Sequence, residues 1–286
     1  MTEVLLTGLK IGESARWHDG RLWLSNWGAQ EVIAVDLDGK SEVMARVPTT
    51  LPFSIDWLPD GRLLVVAGPE GRLLRQESNG SLVDHADLSA FGSGGLNEIV
   101  VDGRGNIYVN GGSNFNPGEG EAPGFIVLVT PDGSVRRVAE GIAFPNGMAV
   151  TPDNSTLIIA ESFARTLTAF DIHHDGGLSY RRVWAAVPAD GICPDAEGAV
   201  WTPSWSDDGP ACLRIAEGGE VLDTVRLDQA GFACTLGGED GRTLFMLAAE
   251  WRTEDSPEDN IERLTTGPET GRVLTARAPA PRAGHP

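Results

Sequence analysis

Positive charge and cysteine are both scarce in this chain. Its 286 residues include 22 Lys and Arg against 41 Asp and Glu, which gives a formal net charge of −19. A surface this acidic repels phosphates, so we expect no nucleic-acid partner. The three cysteines, Cys193, Cys212 and Cys234, lack the spacing of a metal site. They predict reduced, structural thiols and a cytoplasmic location.

Long apolar runs and helical periodicity are missing as well. No stretch approaches the roughly 20 consecutive apolar residues that a membrane-spanning helix needs. Residues 1–5 lack the basic and apolar segments of a secretory signal, so we expect no membrane partner. No segment of useful length shows the hydrophobic periodicity of an amphipathic helix. There is also no phosphate-binding glycine loop and no nucleophile elbow, which argues against a serine-hydrolase mechanism.

What is abundant instead is one short phrase, a turn opened by aspartate and followed by an apolar strand. The phrase starts six times, at Asp19, Asp60, Asp102, Asp153, Asp195 and Asp240. A unit that repeats about every 40 to 50 residues is typical of propeller blades. Each unit predicts four strands joined by tight turns. The sequence therefore predicts an all-β fold, a six-bladed β-propeller with four-stranded blades.

The ends of the chain and two long loops complete this prediction. The strand around residues 4–6 is expected to complete the last blade beside residues 271–274, which removes the open edge of the ring. Residues 1–275 then form one propeller domain, and the Ala-, Pro- and Arg-rich residues 276–286 are expected to be a disordered tail. Loops 111–124 and 251–270 fall on the face where the innermost strands begin, where functional loops are common.

Four blades carry an oxygen-bearing side chain at the start of the innermost strand. These residues are Glu13, Asn97, Asn146 and Asp190, whereas blades two and six have Phe53-Ser54 and Phe232-Ala233 there. Carboxylate and amide oxygens are the ligands that Ca²⁺ and Mg²⁺ prefer, and Mn²⁺ or Zn²⁺ can use them. Taken singly, each residue is better explained as a turn residue. Their common position in the repeat favours a shared site.

Four segments carry a resemblance to a known family. They are Gly12 to Trp17, Asn97 to Gly105, Pro145 to Ala149 with Asp153, and Asp190 to Gly198. In this order and at blade spacing they resemble the senescence-marker-protein (regucalcin), gluconolactonase and luciferin-regenerating-enzyme-like family, over roughly residues 10 to 250.

The resemblance implies one divalent metal ion, held by Glu13, Asn146 and Asp190, with Ca²⁺ as the default. It further implies that the metal polarises a lactone carbonyl and that Asp190 handles the proton of the attacking water. Asn97 is implied to contact the substrate or a water on the metal. Catalytic roles therefore fall to Asp190 and Asn97.

The chain also departs from the family pattern. Gly95 stands where sugar-lactone hydrolases of the family often have an arginine that grips hydroxyl groups. Glu98 replaces a family aspartate, and Ala15 replaces a family proline. These changes keep the implied metal ligands but point away from an aldonolactone substrate.

Aromatic side chains near the channel-side strand ends are candidates for the pocket wall. We expect Phe53, Phe115 and Phe144 to contact substrate, together with Asn97 and Glu98, because apolar walls with a few polar groups are usual in ligand pockets. Trp27, Phe163 and Trp205 are further candidates for the rim. Packing between blades is the alternative explanation for these aromatic residues.

The leading hypothesis is a metal-dependent hydrolase that opens a lactone or related cyclic ester, with a small molecule as its partner. One alternative is a lyase, isomerase or cyclase of specialised metabolism on the same metal site, since one fold hosts many reactions. A non-catalytic calcium-binding propeller is another. The sequence does not indicate an oligomeric state.

Overall fold

Six four-stranded antiparallel sheets form a ring, so the predicted six-bladed β-propeller is confirmed. The computed structural model describes residues 2–91, 95–112, 124–206 and 208–283. Within these ranges each blade has its first strand at the channel and its last at the rim.

The strands follow in chain order, four to a blade. Blade one contains β2 (Gly12–His18), β3 (Arg21–Asn26), β4 (Glu31–Val35) and β5 (Ser41–Arg46). Blade two contains β6 (Phe53–Trp57), β7 (Leu63–Ala67), β8 (Arg72–Gln76) and β9 (Leu82–Asp87). Blade three contains β10 (Leu96–Val101), β11 (Ile107–Gly111), β12 (Gly124–Val129) and β13 (Val135–Ile142).

The other three blades repeat this plan. Blade four contains β14 (Pro145–Val150), β15 (Thr156–Glu161), β16 (Thr166–Ile172) and β17 (Leu178–Ala185). Blade five contains β18 (Cys193–Pro194), β19 (Val200–Ser206), β20 (Gly209–Ile215) and β21 (Val221–Arg226). Blade six contains β22 (Ala230–Gly237), β23 (Thr243–Ala249), β24 (Gly271–Arg277) and the early strand β1 (Glu3–Leu9).

Strand β1 closes the ring as the sequence predicts. It pairs antiparallel with β24, with Val4 opposite Leu274 and Thr7 opposite Arg272. The chain therefore supplies the outer strand of blade six from its first residues and the other three from its last. This pairing leaves β24 without an open edge.

The repeated aspartate has a local structural role. Its side chain accepts a hydrogen bond from the backbone N–H two residues later, at distances of 2.8 to 3.1 Å. The aspartates that do so are Asp60, Asp102, Asp153, Asp195 and Asp240. This hydrogen bond fixes the tight turn between the first two strands of a blade, which explains why the phrase recurs.

Apolar side chains from neighbouring blades form the core. Leu64 and Val66 of blade two, for example, pack in one buried cluster with Ile99 and Val109 of blade three. Strands near the channel are covered on both faces, so they are apolar without strict alternation. This packing holds the starts of the innermost strands at fixed positions around the channel.

One helix, α1 (Pro257–Thr266), lies in the long loop of blade six, although the sequence analysis expected none. Ser256 caps it by accepting a hydrogen bond from the Asp259 N–H at 3.1 Å, and Pro257 occupies the first turn. Within the helix, the side chain of Leu264 is buried. In the part of the chain that is described, no helix has the length and apolar character needed to cross a membrane.

The segment after β24 is ordered through residue 283, in contrast to the expected disordered tail from residue 276. The Ala278 N–H donates to Arg242 O and the Arg282 N–H donates to Gly241 O, both at 2.8 Å. Ala280 is fully buried. Small alanine side chains fit closely against blade six while the backbone finds partners there, and composition alone does not reveal this. Residues 284–286 lie outside the described ranges.

Candidate active site

The four polar residues predicted at the strand starts line one cavity. Glu13, Asn97, Asn146 and Asp190 come from blades one, three, four and the segment that enters blade five. The cavity has a volume of about 230 Å³ and lies at the channel mouth where the innermost strands begin. The ring thus brings together side chains that are far apart in the sequence.

β-Bulges accompany the polar residues. The strand pairing shifts register between Glu13 and Arg16 in β2, between Leu96 and Ile99 in β10, and between Pro145 and Met148 in β14. A bulge bends the strand and re-aims the side chains next to it. Strand β6, which begins at Phe53, pairs without such a shift. These three bulged strands present Glu13, Asn97 and Asn146 to the cavity, and β22, which is bulged between Gly231 and Ala233, presents Phe232.

Two glycines let the ligand-bearing segments approach each other. A Cβ atom on Gly147 would lie 2.6 Å from the Ile192 N atom and 2.7 Å from the Asp190 O atom. A Cβ atom on Gly191 would lie 2.7 Å from the Ala233 Cα atom. No side chain fits at these distances, so glycine is required for close backbone approach. The Asp190 segment therefore comes directly against Asn146.

Hydrogen bonds orient the two amides. Asn97 Nδ2 donates to Pro145 O at 3.0 Å. Asn146 Nδ2 donates to Ser162 Oγ at 3.4 Å, and Ser162 Oγ donates in turn to Ala189 O at 3.0 Å. These contacts use the amide nitrogens. The Oδ1 atoms of Asn97 and Asn146 are therefore the ones suited to act as acceptors or ligands.

Two buried carboxylates oppose each other in this cavity. Glu13 is 6% exposed and Asp190 is 8% exposed. Burial, together with the nearby Glu98, raises the pKa of Asp190 to about 8, although a hydrogen bond from Asn146 works in the opposite direction. Burial also raises the pKa of Glu13 well above its usual value, and Asp190 and Glu98 add to the increase. Paired carboxylates in a dry site favour an added positive charge.

The donor set fits a divalent cation. Asp190 Oδ1 is buried and accepts no hydrogen bond from any described residue. Glu13, Asn146 and Asp190 offer two carboxylates and one amide oxygen, which are hard ligands for Ca²⁺ or Mg²⁺. Within the described ranges, no group of three or more His, Cys, Asp or Glu side chains is arranged to hold a metal.

Most of the remaining cavity lining is apolar. Five of the fifteen described lining residues are aromatic, namely Trp27, Phe144, Trp205, Phe232 and Trp251. The expected wall position of Phe144 agrees with this set, as do the expected positions of Trp27 and Trp205. Phe232, Trp251 and Ile261 were missed by the sequence analysis. Trp251, at the start of the long loop of blade six, is the sequence feature that could have indicated this part of the wall.

Two expected substrate contacts lie elsewhere in the structure. Phe53 is fully buried, because its strand has no bulge and its phenyl side chain packs in the hydrophobic core. Its backbone carbonyl accepts a hydrogen bond from Trp27 Nε1. Glu98 lines a smaller void of about 10 Å³ deeper in the channel, because its carboxylate is engaged by Arg16. The expected contact of Phe115 lies outside the described residues.

Strand β2 follows the channel from one mouth to the other. Glu13 lines the first cavity, Arg16 lines the small void below it, and His18 lines a second cavity of about 480 Å³ at the opposite mouth. Arg16 Nη2 donates to Glu98 Oε2 at 3.2 Å and to Ile99 O at 2.7 Å. This buried ion pair stands between the two cavities.

Fold and site together define a six-bladed propeller with an acidic pocket at one channel mouth. Residues 11–250 match the sequence profile described as the SMP-30/Gluconolactonase/LRE-like region. The chain belongs to this family, which confirms the resemblance noted in the sequence.

One curated relative is similar to this chain in sequence, and two solved structures are similar to it in fold. The chain is 24% identical over 291 residues to pentonolactonase XacC of Haloferax volcanii, covering 96% of this chain and 93% of that protein. The solved structure of a luciferin-regenerating enzyme is similar in fold, with a TM-score of 0.80 and 19% identity, covering 99% of both chains. A structure titled as the calcium-binding protein regucalcin of Agrobacterium tumefaciens gives a TM-score of 0.75 at 20% identity, covering 99% of this chain and 95% of that one.

Proposed function

We propose that the protein is a divalent-metal-dependent hydrolase that opens a lactone or related cyclic ester. The observation that carries the proposal is the buried pair Glu13 and Asp190 in the cavity, with Asp190 Oδ1 free of hydrogen bonds from the described residues. Pentonolactonase XacC, a relative over nearly the whole chain, is named for the same class of reaction.

Glu13, Asn146 and Asp190 would hold the cation. Ca²⁺ is the ion we expect, because all three ligands are oxygen atoms and the structurally similar regucalcin is titled as calcium-binding. When bound, the ion would supply a Lewis acid that polarises the ester carbonyl and stabilises the negative charge that develops on its oxygen.

Side chains of the cavity carry out the proton transfer and position the reactants. Asp190 takes a proton from the attacking water at Oδ1 as that water adds to the ester carbon. The bond from this carbon to the ring oxygen then breaks, Asp190 gives the proton to the ring oxygen, and a hydroxy acid leaves. Asn97 positions the attacking water, which donates to its Oδ1, because its Nδ2 is bonded to Pro145 O. The aromatic wall limits access of bulk water.

A metal-reconstitution screen tests this proposal. Protein stripped with a chelator is reloaded with Ca²⁺, Mg²⁺, Mn²⁺ or Zn²⁺ and assayed on sugar, aliphatic and aromatic lactones. We expect turnover only after reloading, and elemental analysis of gently purified protein should find about one divalent ion per chain. No metal-stimulated turnover on any of the three lactone classes would contradict the proposal.

A further inference from the structure

The composition of the cavity lining bears on the substrate. The polar residues of the described lining are Glu13, Asn97, Asn146, Ser162 and Asp190, and the other ten described lining residues are apolar. Among the described residues, no arginine, lysine or histidine lines this cavity. The polar set includes the residues to which the proposed reaction is assigned, so the apolar set is left to contact the rest of the substrate.

The apolar wall is a packed surface. Ile11, Trp27 and Phe232 belong to one buried cluster, and Trp251 and Ile261 pack against it. The rings of Phe232 and Trp251 lie 5.9 Å apart. Because α1 and the strand ends hold these side chains together, the wall offers a preformed apolar surface rather than a gap left between loops.

The ten apolar residues of the described lining carry no side-chain hydroxyl, amide or charged group, and their side-chain donors are the indole N–H groups of Trp27, Trp205 and Trp251. The indole N–H of Trp27 donates to Phe53 O at 2.6 Å, so it is already engaged. Gly95 supplies no side chain near the strand start of blade three. Hydroxyl groups that face an apolar wall lose their hydrogen bonds to water without replacement, which disfavours binding.

We propose that the substrate is a lactone with an alkyl or aryl substituent, rather than a polyhydroxylated sugar lactone. This inference rests on the proposed hydrolase function. The ester ring lies among Glu13, Asn97 and Asp190, and the substituent lies against Trp27, Phe232 and Trp251. Each methylene group that the wall buries improves binding about fourfold, since burial of a methylene is favourable by about 0.8 kcal/mol.

A panel of lactones with the same ring size measures the preference. We compare kcat/KM for glucono-1,5-lactone, δ-valerolactone and δ-decalactone with reconstituted protein. δ-Decalactone should exceed δ-valerolactone by up to about 10³-fold, since its pentyl chain adds five carbons for the wall to bury. A higher kcat/KM for glucono-1,5-lactone would overturn the inference while leaving the lactonase function intact.

Variants locate the preference on the wall. Trp251→Ser should remove most of the advantage of δ-decalactone through KM, and Ile261→Thr offers a milder change should the first variant fold poorly. The matched control is Tyr180→Ser on β17, where the side chain is 71% exposed. It should keep the parental preference. An unchanged preference in both wall variants would also overturn the inference.

Binding of a ketone that cannot be hydrolysed separates this inference from the proposed function. 2-Pentylcyclohexanone and cyclohexanone are titrated calorimetrically into the reconstituted protein. Tighter binding of the pentyl compound with a negative heat-capacity change supports the apolar site even if no lactone is turned over. Equal binding of the two ketones counts against it, whatever the outcome of the lactone screen.

Discussion

The two mouths of the central channel both present carboxylates to a cavity, and they use them differently. At the mouth of about 230 Å³, Asp190 Oδ1 is buried and accepts no hydrogen bond from the described residues. At the opposite mouth of about 480 Å³, Asp102 Oδ1 accepts from the Arg104 and Asn106 N–H groups, and Asp56 Oδ2 accepts from the Val101 N–H at 2.7 Å.

On the proposed function the end with the smaller cavity is the reactive one, so cavity size does not identify it. The carboxylates of the larger cavity are engaged in holding turns and strand ends, so removing one should affect stability. Those of the smaller cavity, Glu13 and Asp190, are desolvated and form no ion pair with a described residue, so removing one should affect chemistry. Substitutions at each mouth and between them test this difference.

The largest effect is expected for Arg16→Met, between the two mouths. The side chains of Arg16 and Glu98 are 7% and 6% exposed, so the variant leaves a buried carboxylate without its partner. We expect the free energy of unfolding in denaturant to fall by about 3 to 5 kcal/mol. Arg21→Met is the control, because it breaks an exposed pair with Glu42 and should cost less than about 1 kcal/mol. Equal losses in both variants would refute a stabilising role for the channel pair.

Asp190→Asn tests the reactive mouth. It keeps one oxygen donor but loses charge and basicity, so turnover should fall by about 10²-fold or more while some metal is retained. Asp190→Ala should abolish turnover and weaken metal binding. Asn97→Ala should impair turnover but leave metal affinity mostly intact. Calcium titration paired with kinetics separates the three variants. Near-parental turnover of Asp190→Asn at saturating metal would mean that the base lies elsewhere.

Asp102→Ala is the counterpart at the opposite mouth. It removes the acceptor of two backbone N–H groups and of Asn106 Nδ2, so stability should fall by about 1 to 3 kcal/mol. Calcium affinity and kcat/KM should stay at parental values. A loss of metal binding in this variant would remove the distinction between the mouths.

The last test concerns pH in the metal-free protein. Burial and the nearby Glu98 raise the pKa of Asp190 from 3.8 to about 8, so the native state keeps a proton that the unfolded chain has released between these values. This group therefore favours folding below pH of about 4, and its contribution is lost as the pH rises towards about 8.

Thermal unfolding at pH 4, 6 and 8 measures this contribution. The melting temperature of the parent should decline relative to that of Asp190→Asn across this range, and saturating Ca²⁺ should reverse the decline at pH 8. Parallel curves for the two proteins would mean that Asp190 is not desolvated in the native state.

The strand repeat and the ring closure could be predicted because they depend on local patterns. Each aspartate turn is fixed by a hydrogen bond within two or four residues, as at Asp102 with Arg104 and Asn106. The polar residues of the site, such as Glu13 and Asp190, were found because the repeat places equivalent positions at the same mouth. Helix α1 was missed although its Ser256-Pro257 start signal is present in the sequence.

The direction of individual side chains could not be predicted in the same way. Asn97 and Glu98 are consecutive, but of the two only Asn97 lines the first cavity. The bulge between Leu96 and Ile99 changes the direction of both side chains, and the ion pair with Arg16 holds Glu98 away from this cavity. Phe53 was placed in the wall by analogy with its position in the repeat, yet its regular strand buries it. Bulges and partners of this kind depend on the packed ring.

The pairing of β1 with β24 also has a consequence for synthesis of the chain. Val4 leaves the ribosome long before its partner Leu274. Blades one to five can form in order during translation, but blade six must wait until β24 has been synthesised. Until then β1 remains without this partner, and contacts between such distant segments form slowly. Completion of the ring therefore follows the synthesis of β24.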